Sequence, residues 1–276
     1  MPVFADKDLE FLLALVAEAG RREVMPRFRR LAPADIRQKT SPIDLVTEAD
    51  TAAEAFMSAE IGRRFPNALV IGEESVSRDP SRLEGLGDAE LAFVIDPVDG
   101  TFNFASGIPL FGIILAVVAR GETVAGIIHD PVGGDWLVGA KGAGSRLRPA
   151  EGQEEGVRVA DAVPLPEMTG GIAWQFIREP LRSTLARNHA RARSQIGYRC
   201  AAFEYRIMAT GHSHFQIYNK LMPWDHLAGA LIHAEAGGYH ARFDGNPYLP
   251  SHTEGGLLIA PDKESWLELR RELWAQ

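Results

Sequence analysis

The chain has 276 residues, of which 29 are basic and 37 are acidic, so its formal net charge at pH 7 is −8. This balance argues against a broad surface for nucleic acid or anionic membranes, and 46% hydrophobic residues are enough for a sizeable core. The single cysteine, Cys200, excludes an intrachain disulfide and a cysteine-based structural zinc site. We find neither a signal-peptide pattern nor an apolar run of about 18 residues, so we expect a cytoplasmic protein without membrane spans.

The first half of the chain is predicted to be two helices followed by an antiparallel meander. Apolar residues at helical spacing predict helices over 6–29 and 48–64, with a polar loop and then a short strand between them in 39–47. A charged, glycine-containing stretch predicts a surface loop at 78–88. Apolar runs bounded by turn residues predict strands at 68–71, 91–95, 112–119, 124–129, 135–140 and near 146.

The second half of the chain is predicted to alternate short strands with helices. An acidic, glycine-flanked segment near position 155 predicts a boundary between an N-terminal domain, 1–155, and a C-terminal domain, 156–276. The strands predicted after this boundary are 170–174, 215–218 and 256–260. The predicted helices are 182–193, 201–209, 225–235 and 263–274.

The most informative residues are acids at the ends of predicted strands. Asp96 and Asp99 follow a buried strand, with Pro97 fixing the turn between them and Gly100 allowing close backbone approach. If a helix begins near Thr101, its free N–H groups face the same point, which suits metal ions and a phosphate. Two alternatives remain: the acids only cap the helix, or the segment is a haloacid-dehalogenase nucleophile loop, although the two aspartates of that loop are closer together.

Three further segments place acids at junctions between secondary-structure elements. Asp50 ends an acidic stretch where a strand meets a helix, Glu73 follows a short strand, and Asp225 stands at the start of a helix that ends at two glycines, 237–238. Taken singly, Asp225 is typical of a helix N-cap, and Glu73 is typical of a solvated loop.

Together these segments resemble the inositol monophosphatase family of magnesium-dependent, lithium-sensitive phosphatases. Residues 96–104 resemble the family's first signature and residues 224–238 its second, and the resemblance covers about 39–238. It implies an α+β fold, a layered αβαβα sandwich of the inositol monophosphatase and fructose-1,6-bisphosphatase type. It also implies hydrolysis of a phosphate monoester on a small metabolite by metal-activated water, and a homodimer, which is usual in the family.

The resemblance implies two or three Mg²⁺ ions and names their ligands. Glu73 and Asp96 would bind the first ion together with the carbonyl of Val98. Asp96, Asp99 and Asp225 would bind the second ion, and Glu73 would help to hold a third through water. Hard cations of this kind take oxygen ligands, neutralise developing charge and lower the pKa of bound water.

The resemblance also implies roles for residues beside the ions. Asp50 and Thr101 would orient the attacking water, and with Glu73 they form the predicted catalytic set. The backbone of Gly100 and Thr101 would bind the phosphate, and Lys39 would belong to a mobile loop near the first ion.

The predicted substrate-binding residues depart from the inositol-specific pattern. Those relatives carry a glutamate seven residues before the second-signature aspartate, where this chain has Tyr218, followed by Asn219 and Lys220. Arg199 stands where many members have a small residue. One interpretation is sequence drift at the rim of the substrate pocket. The other is that Arg199 and Lys220 bind a second anionic group, because both side chains suit phosphate contacts.

The second interpretation favours a bisphosphate, such as fructose 1,6-bisphosphate or 3′-phosphoadenosine 5′-phosphate, over inositol monophosphate. A phosphatase for histidinol phosphate is another alternative within the family. A non-catalytic regulatory protein that keeps the fold is an alternative from a different class, although the expected metal ligands are all present. Nucleic acid and membranes are not expected as partners.

Overall fold

Two β-sheets of unequal size form the frame of the molecule, for which a computed structural model describes residues 6–275. The helices are α1 (Asp6–Ala19), α2 (Glu48–Arg64), α3 (Glu73–Arg78), α4 (Thr101–Ala105), α5 (Leu181–His189), α6 (Ala201–Ala209), α7 (Pro223–Glu235) and α8 (Lys263–Leu273). The strands are β1 (Ile36–Ser41), β2 (Asp44–Thr47), β3 (Leu69–Gly72), β4 (Ala92–Asp99), β5 (Gly112–Ala119), β6 (Glu122–Asp130), β7 (Asp135–Ala140), β8 (Gly144–Pro149), β9 (Glu155–Gly156), β10 (Thr169–Ile172), β11 (Ser194–Gln195), β12 (Phe215–Tyr218), β13 (Tyr239–Arg242) and β14 (Leu257–Ala260).

The larger sheet has seven strands in the order β3-β4-β5-β6-β7-β8-β9. Strand β3 is parallel to β4, and every other neighbouring pair is antiparallel, as the predicted meander requires. The smaller sheet has the order β11-β10-β12-β14-β13 and mixes parallel with antiparallel pairs. Strands β1 and β2 form a separate antiparallel hairpin.

The side chains of the strands pack into three hydrophobic clusters, and their distribution shows that the molecule has five layers. In β5, Ile113 and Leu115 pack with α1 and α2, whereas Ile114 and Ala116 pack with α6 and α7 on the opposite face. This alternation is that of a strand buried on both sides. In β12, Phe215 and its neighbours on the same face pack against α5 and α8. The order helix, sheet, helix, sheet, helix is therefore the predicted αβαβα sandwich.

Two predicted elements near the N-terminus differ from the structure. The α-helix that was predicted over 6–29 ends at Ala19 and continues as a π-helical turn at Gly20–Val24, where Gly20 packs closely against Pro131. The polar loop predicted at Lys39 is instead part of β1, which pairs with β2. A polar two-stranded hairpin carries no run of apolar residues, so its sequence does not show the pattern of a strand.

The helix predicted over 182–193 is shorter and spans Leu181–His189. Strand β9, at Glu155–Gly156, belongs to the larger sheet and lies across the predicted domain boundary, and the division of the chain into two domains stays a prediction. Within residues 6–275, every helix is too short or too polar to cross a membrane.

Candidate active site

Three carboxylates from two distant parts of the chain meet at the end of β4. Asp96 and Asp99 belong to β4, and Asp225 lies in the first turn of α7. One carboxylate oxygen from each of the three lies within 4.8 Å of the others. A group of oxygen ligands at this spacing suits a hard divalent cation.

A bulge in β4 brings Asp96 and Asp99 to the same place. Asp96 pairs with Ile114 of β5 and Asp99 pairs with Gly112, so β4 has one residue more than β5 between these two pairs. In a regular strand, side chains three positions apart point to opposite faces. With the extra residue, the two side chains no longer point to opposite faces, and bulges beside active sites commonly redirect side chains in this way.

Two glycines of the larger sheet let α7 approach closely enough to deliver Asp225. A Cβ atom on Gly126 would lie 2.6 Å from the carbonyl oxygen of Ala228, and one on Gly139 would lie 3.0 Å from the Cα of Ile232. Real Cβ atoms essentially never approach other atoms as closely as the first distance. The position of Asp225 therefore depends on strand residues that carry no side chain.

Burial and mutual repulsion shape the electrostatics of the three carboxylates. Burial, together with the charges of neighbouring acids, raises the pKa values of Asp96 and Asp225 well above their usual range. Burial raises the pKa of Asp99 to about 6, although Cys200 Sγ and the backbone N–H of Ala202 both donate to its Oδ2, at 3.0 and 2.6 Å. Converging buried carboxylates of this kind fit a bound cation, which would remove the repulsion.

Glu73 lies in the first turn of α3, on the wall of the same cleft but outside the group of three. Lys39 Nζ donates to Glu73 at 2.7 Å and to the buried Glu74 at 2.5 Å. Burial alone would lower the pKa of Lys39, but attraction to the two glutamates outweighs it and raises that pKa. Burial, with the nearby charge of Glu73, raises the pKa of Glu74 to about 7.

The N-terminus of α3 is fixed by Glu54, a buried residue of α2 that sequence reasoning missed. Its carboxylate accepts the backbone N–H groups of Glu74 and Ser75 at 2.6 and 2.8 Å. A Cβ on Gly72 would lie 2.3 Å from that carboxylate, so a side chain at this preceding position would displace the carboxylate from its present place. The available signal was a glutamate at helical spacing with the apolar residues Met57 and Ile61 of α2.

Thr101 and Asp50 form a second polar unit beside the carboxylates. Thr101 Oγ1 lies 3.0 Å from Asp50 Oδ1 and 2.9 Å from the carbonyl oxygen of Val98. Asp50 is fully buried, and its other oxygen accepts the backbone N–H and the hydroxyl of Thr47 as part of a capping box at the start of α2. Burial raises the pKa of Asp50 to about 6.

The turn between β4 and α4 requires a glycine. Gly100 has φ = 86°, in the left-handed region, and a Cβ there would lie 2.9 Å from the carbonyl oxygen of Leu110. Gly100 and Thr101 line a cleft of about 150 Å³ whose wall also includes Glu73, Asp96, Val98, Asp99 and Asp225. The structure thus brings together the residues that the resemblance assigns to metal and phosphate, with Lys39 and Asp50 in contact with them.

A larger cleft, of about 620 Å³, opens beside the carboxylates and receives Arg199, Tyr218 and Lys220. The guanidinium carbon of Arg199 lies 3.9 Å from the centre of the Phe102 ring, and Lys220 Nζ lies 5.2 Å from that of Phe176. Tyr218 is 4% exposed, and its hydroxyl donates to Glu204.

Sequence reasoning missed several residues of this larger cleft. Trp174 and Phe176 reach it from the segment between β10 and α5, Arg182 from the first turn of α5, and Glu204 from α6. The first three carry no motif that could have identified them. Glu204 did carry a signal, because it is a charged residue among the apolar residues of α6.

A sequence profile of the inositol monophosphatase family matches residues 5–275. The chain belongs to the inositol monophosphatase family. A Thermotoga maritima protein named fructose-1,6-bisphosphatase/inositol-1-monophosphatase is 30% identical over 237 residues, which cover 86% of this chain and 85% of that one. The Nus factor SuhB of Haemophilus influenzae is also 30% identical, over 225 residues that cover 80% and 79% of the two chains.

Solved structures agree with this assignment. A structure of an inositol monophosphatase from Thermotoga maritima superimposes with a TM-score of 0.80 at 26% identity, covering 97% of this chain and 98% of that one. Inositol monophosphatase II from Staphylococcus aureus has a TM-score of 0.82 at 24% identity, with coverages of 98% and 94%, and shows the same fold. The predicted family and fold are confirmed.

Proposed function

We propose that the protein is a Mg²⁺-dependent phosphatase that hydrolyses a phosphate monoester on a small metabolite. The observation that carries this proposal is the convergence of Asp96, Asp99 and Asp225 beside a polar cleft. Bound at these oxygens, Mg²⁺ would neutralise phosphate charge and lower the pKa of water, the two forms of assistance that phosphate hydrolysis needs most.

We assign the ion-holding residues as the family resemblance suggests. Glu73, Asp96 and the carbonyl of Val98 would hold one ion. Asp96, Asp99 and Asp225 would hold a second, with Asp96 shared, and Glu73 would help to hold a third through water. The support for this assignment is that these residues line one cleft and that burial makes the three aspartates costly to ionise without a cation.

Thr101 and Asp50 would orient the attacking water. The Asp50 carboxylate is largely ionised near pH 7, because its pKa is about 6, so it can accept a hydrogen bond from the Thr101 hydroxyl. The Thr101 oxygen then has lone pairs available to accept a hydrogen bond from water. The backbone N–H groups of Gly100 and Thr101 would donate to the phosphate.

The larger cleft supports a substrate with a second anionic group. Arg182, Arg199 and Lys220 line it together with the aromatic rings of Trp174 and Phe176. Cations beside flat apolar surfaces suit a bisphosphate such as fructose 1,6-bisphosphate or 3′-phosphoadenosine 5′-phosphate better than inositol monophosphate. One relative is named a fructose-1,6-bisphosphatase/inositol-1-monophosphatase.

Phosphate release tests the proposal directly. We expect the purified protein to release phosphate in Mg²⁺ from at least one member of a panel containing inositol phosphate, histidinol phosphate, sugar mono- and bisphosphates and nucleotide bisphosphates. EDTA should abolish the release, and excess Mg²⁺ should restore it. Release that is unaffected by EDTA, or trapping of a covalent aspartyl phosphate, would contradict the proposed chemistry.

A second candidate function is a non-catalytic regulator on the same fold. It is favoured by the likeness to proteins named Nus factor SuhB, of which the one from Pasteurella multocida is 31% identical over 79% of this chain. Absence of phosphate release across the whole panel and a range of Mg²⁺ concentrations would favour this candidate. A cytoplasmic location and a homodimer stay predictions, and light scattering tests the second.

A further inference from the structure

Glu204 is a buried carboxylate in the wall of the larger cleft, and four donors converge on it. It lies on α6 and is 6% exposed. Its Oε1 accepts the backbone N–H groups of Tyr198 and Arg199, both at 3.2 Å. Its Oε2 accepts from Gln216 Nε2 at 3.0 Å and from the Tyr218 hydroxyl at 2.9 Å.

These contacts join two parts of the cleft wall. Gln216 and Tyr218 belong to β12, inside the smaller sheet, whereas Tyr198 and Arg199 form the turn that leads into α6. The opposite side of this turn is also held, because Asn103 Nδ2 donates to the carbonyl oxygen of Tyr198 at 2.8 Å. Glu204 thus links the turn to a rigid strand.

The turn has an unfavourable backbone conformation that needs such support. Arg199 has φ = 55°, a left-handed value that is unusual for a residue other than glycine. Two consecutive N–H groups directed at one carboxylate oxygen help to hold this conformation. The conformation in turn sets where the Arg199 side chain leaves the backbone, with its guanidinium over Phe102 in the wall of both clefts.

We propose that Glu204 is a positioning residue for substrate specificity, which holds the Tyr198–Arg199 turn so that the Arg199 guanidinium faces the substrate beside the metal-binding carboxylates. The proposal rests on the phosphatase function proposed above. Glu204 itself does not contact the reacting atoms. A carboxylate suits this role because its two oxygens can accept all four hydrogen bonds and all four of its partners donate.

The first test separates substrate binding from chemistry. Glu204→Ala should raise KM for a bisphosphate substrate about 10-fold to 100-fold, the loss expected for a charge-assisted contact. At saturating substrate and Mg²⁺, kcat should change less than about threefold. Glu204→Gln keeps one oxygen for the two N–H groups, so its KM should be intermediate. Tyr218→Phe removes one donor and should have a smaller effect than Glu204→Ala.

Glu235 offers a matched control. Its carboxylate also accepts two backbone N–H groups, those of Gly142 and Gly144 at 2.8 and 2.9 Å, but it lies outside the residues that line the two clefts. Glu235→Ala should leave KM unchanged. If Glu204→Ala fails to fold, Glu204→Gln and Tyr218→Phe still test the proposal, since each keeps most of the contacts.

The second test asks whether Glu204 acts through Arg199. In an Arg199→Ala background, Glu204→Ala should raise KM by less than about twofold, because the side chain that it positions is already absent. If Glu204 had a purely structural role, Glu204→Ala would raise KM by the same factor in the wild-type and Arg199→Ala backgrounds and would also lower kcat. Additive losses, or an unchanged KM in folded Glu204 variants, would overturn the proposal.

The third test does not depend on activity. Trypsin cleaves after arginine, and Arg199 is exposed but lies in a turn held on both sides. Release of the turn in Glu204→Ala should speed cleavage between Arg199 and Cys200, measured by mass spectrometry, at least about tenfold relative to wild type and Glu235→Ala. Equal cleavage rates would overturn the positioning role. If the wild-type protein had no phosphatase activity, the proposed function would be wrong, but the cleavage rate would still test the positioning role of Glu204.

Discussion

The metal side and the substrate side of the cleft are built by different means. On the metal side, Asp96 and Asp99 are held by a bulge in a buried strand, and Asp225 by a helix packed on glycines. On the substrate side, Arg199 and Lys220 are exposed side chains of separate loops that lie over aromatic rings. Backbone geometry therefore positions the groups proposed for chemistry, whereas side-chain contacts position those proposed for specificity.

The two sides also differ in electrostatics. The metal side concentrates negative charge in a buried place, where burial raises the pKa values of all three aspartates. The substrate side places positive charge near solvent, where salt screens it. Changes on the metal side should therefore alter turnover and stability strongly, and changes on the substrate side should alter the choice of substrate.

The largest effect is expected from Asp96→Asn. The variant keeps an oxygen for the Val98 N–H, which Asp96 Oδ1 accepts at 3.1 Å, but it removes the charge proposed to be shared by two ions. We expect kcat to fall at least about a thousandfold at saturating Mg²⁺, since metal assistance is worth several kcal/mol. Asp130→Asn is the control, because Asp130 also accepts backbone N–H groups at a strand end. Activity within tenfold of wild type would contradict the shared-ion assignment.

Thr101→Ala should lower kcat about a hundredfold, the lower end of what proton-transfer assistance contributes. The Mg²⁺ concentration for half-maximal activity should change much less than kcat, because the hydroxyl contacts Asp50 and one proposed ion ligand, the Val98 carbonyl oxygen, but none of the three clustered carboxylates. Thr101→Ser retains the hydroxyl and should recover most of the activity. A large rise in the Mg²⁺ requirement with kcat intact would place Thr101 in the metal site instead.

Stability in EDTA should depend on pH through the metal-side carboxylates. Asp99 has its pKa raised from 3.8 to about 6, so the folded chain keeps a proton that the unfolded chain loses between these pH values. The free energy of unfolding therefore falls as pH rises from about 4 to 6, by about 3 kcal/mol at most for this group. Denaturant unfolding of wild type and Asp99→Asn isolates the contribution of Asp99. Mg²⁺ should restore the free energy of unfolding that is lost at higher pH. If wild type became more stable relative to Asp99→Asn as pH rises in EDTA, the raised pKa of Asp99 would be contradicted.

The most selective effect, confined to one class of substrate, is expected on the substrate side. Arg199→Ala should raise KM for a bisphosphate about 10-fold to 150-fold and leave a simple monophosphate nearly unchanged. The loss should shrink at high ionic strength, because Arg199 is exposed. Equal losses on both substrates would indicate a structural role. If KM rose for neither substrate, Arg199 would lie at the rim without contacting substrate, and monophosphates would become the preferred candidates for the substrate.

Local sequence alone determined much of the secondary structure. The predicted helices 48–64 and 201–209 and the predicted strands 112–119 and 215–218 agree residue for residue with α2, α6, β5 and β12. Strong apolar periodicity decides such segments, because each buries one face or both faces in the core. The family motifs likewise identified the acids that line the smaller cleft, since a strand, a turn and the start of a helix lie together in short stretches of chain.

Tertiary structure alone decided the rest. The pairing of Glu204 with the Tyr198–Arg199 turn and with β12 joins elements whose contacts no local pattern encodes. The hairpin of β1 and β2 and the ion pair of Lys39 with Glu73 also depend on neighbours distant in sequence. Periodicity reports which face of an element is buried, but a polar contact depends on which donor lies opposite, and only the packed chain settles that.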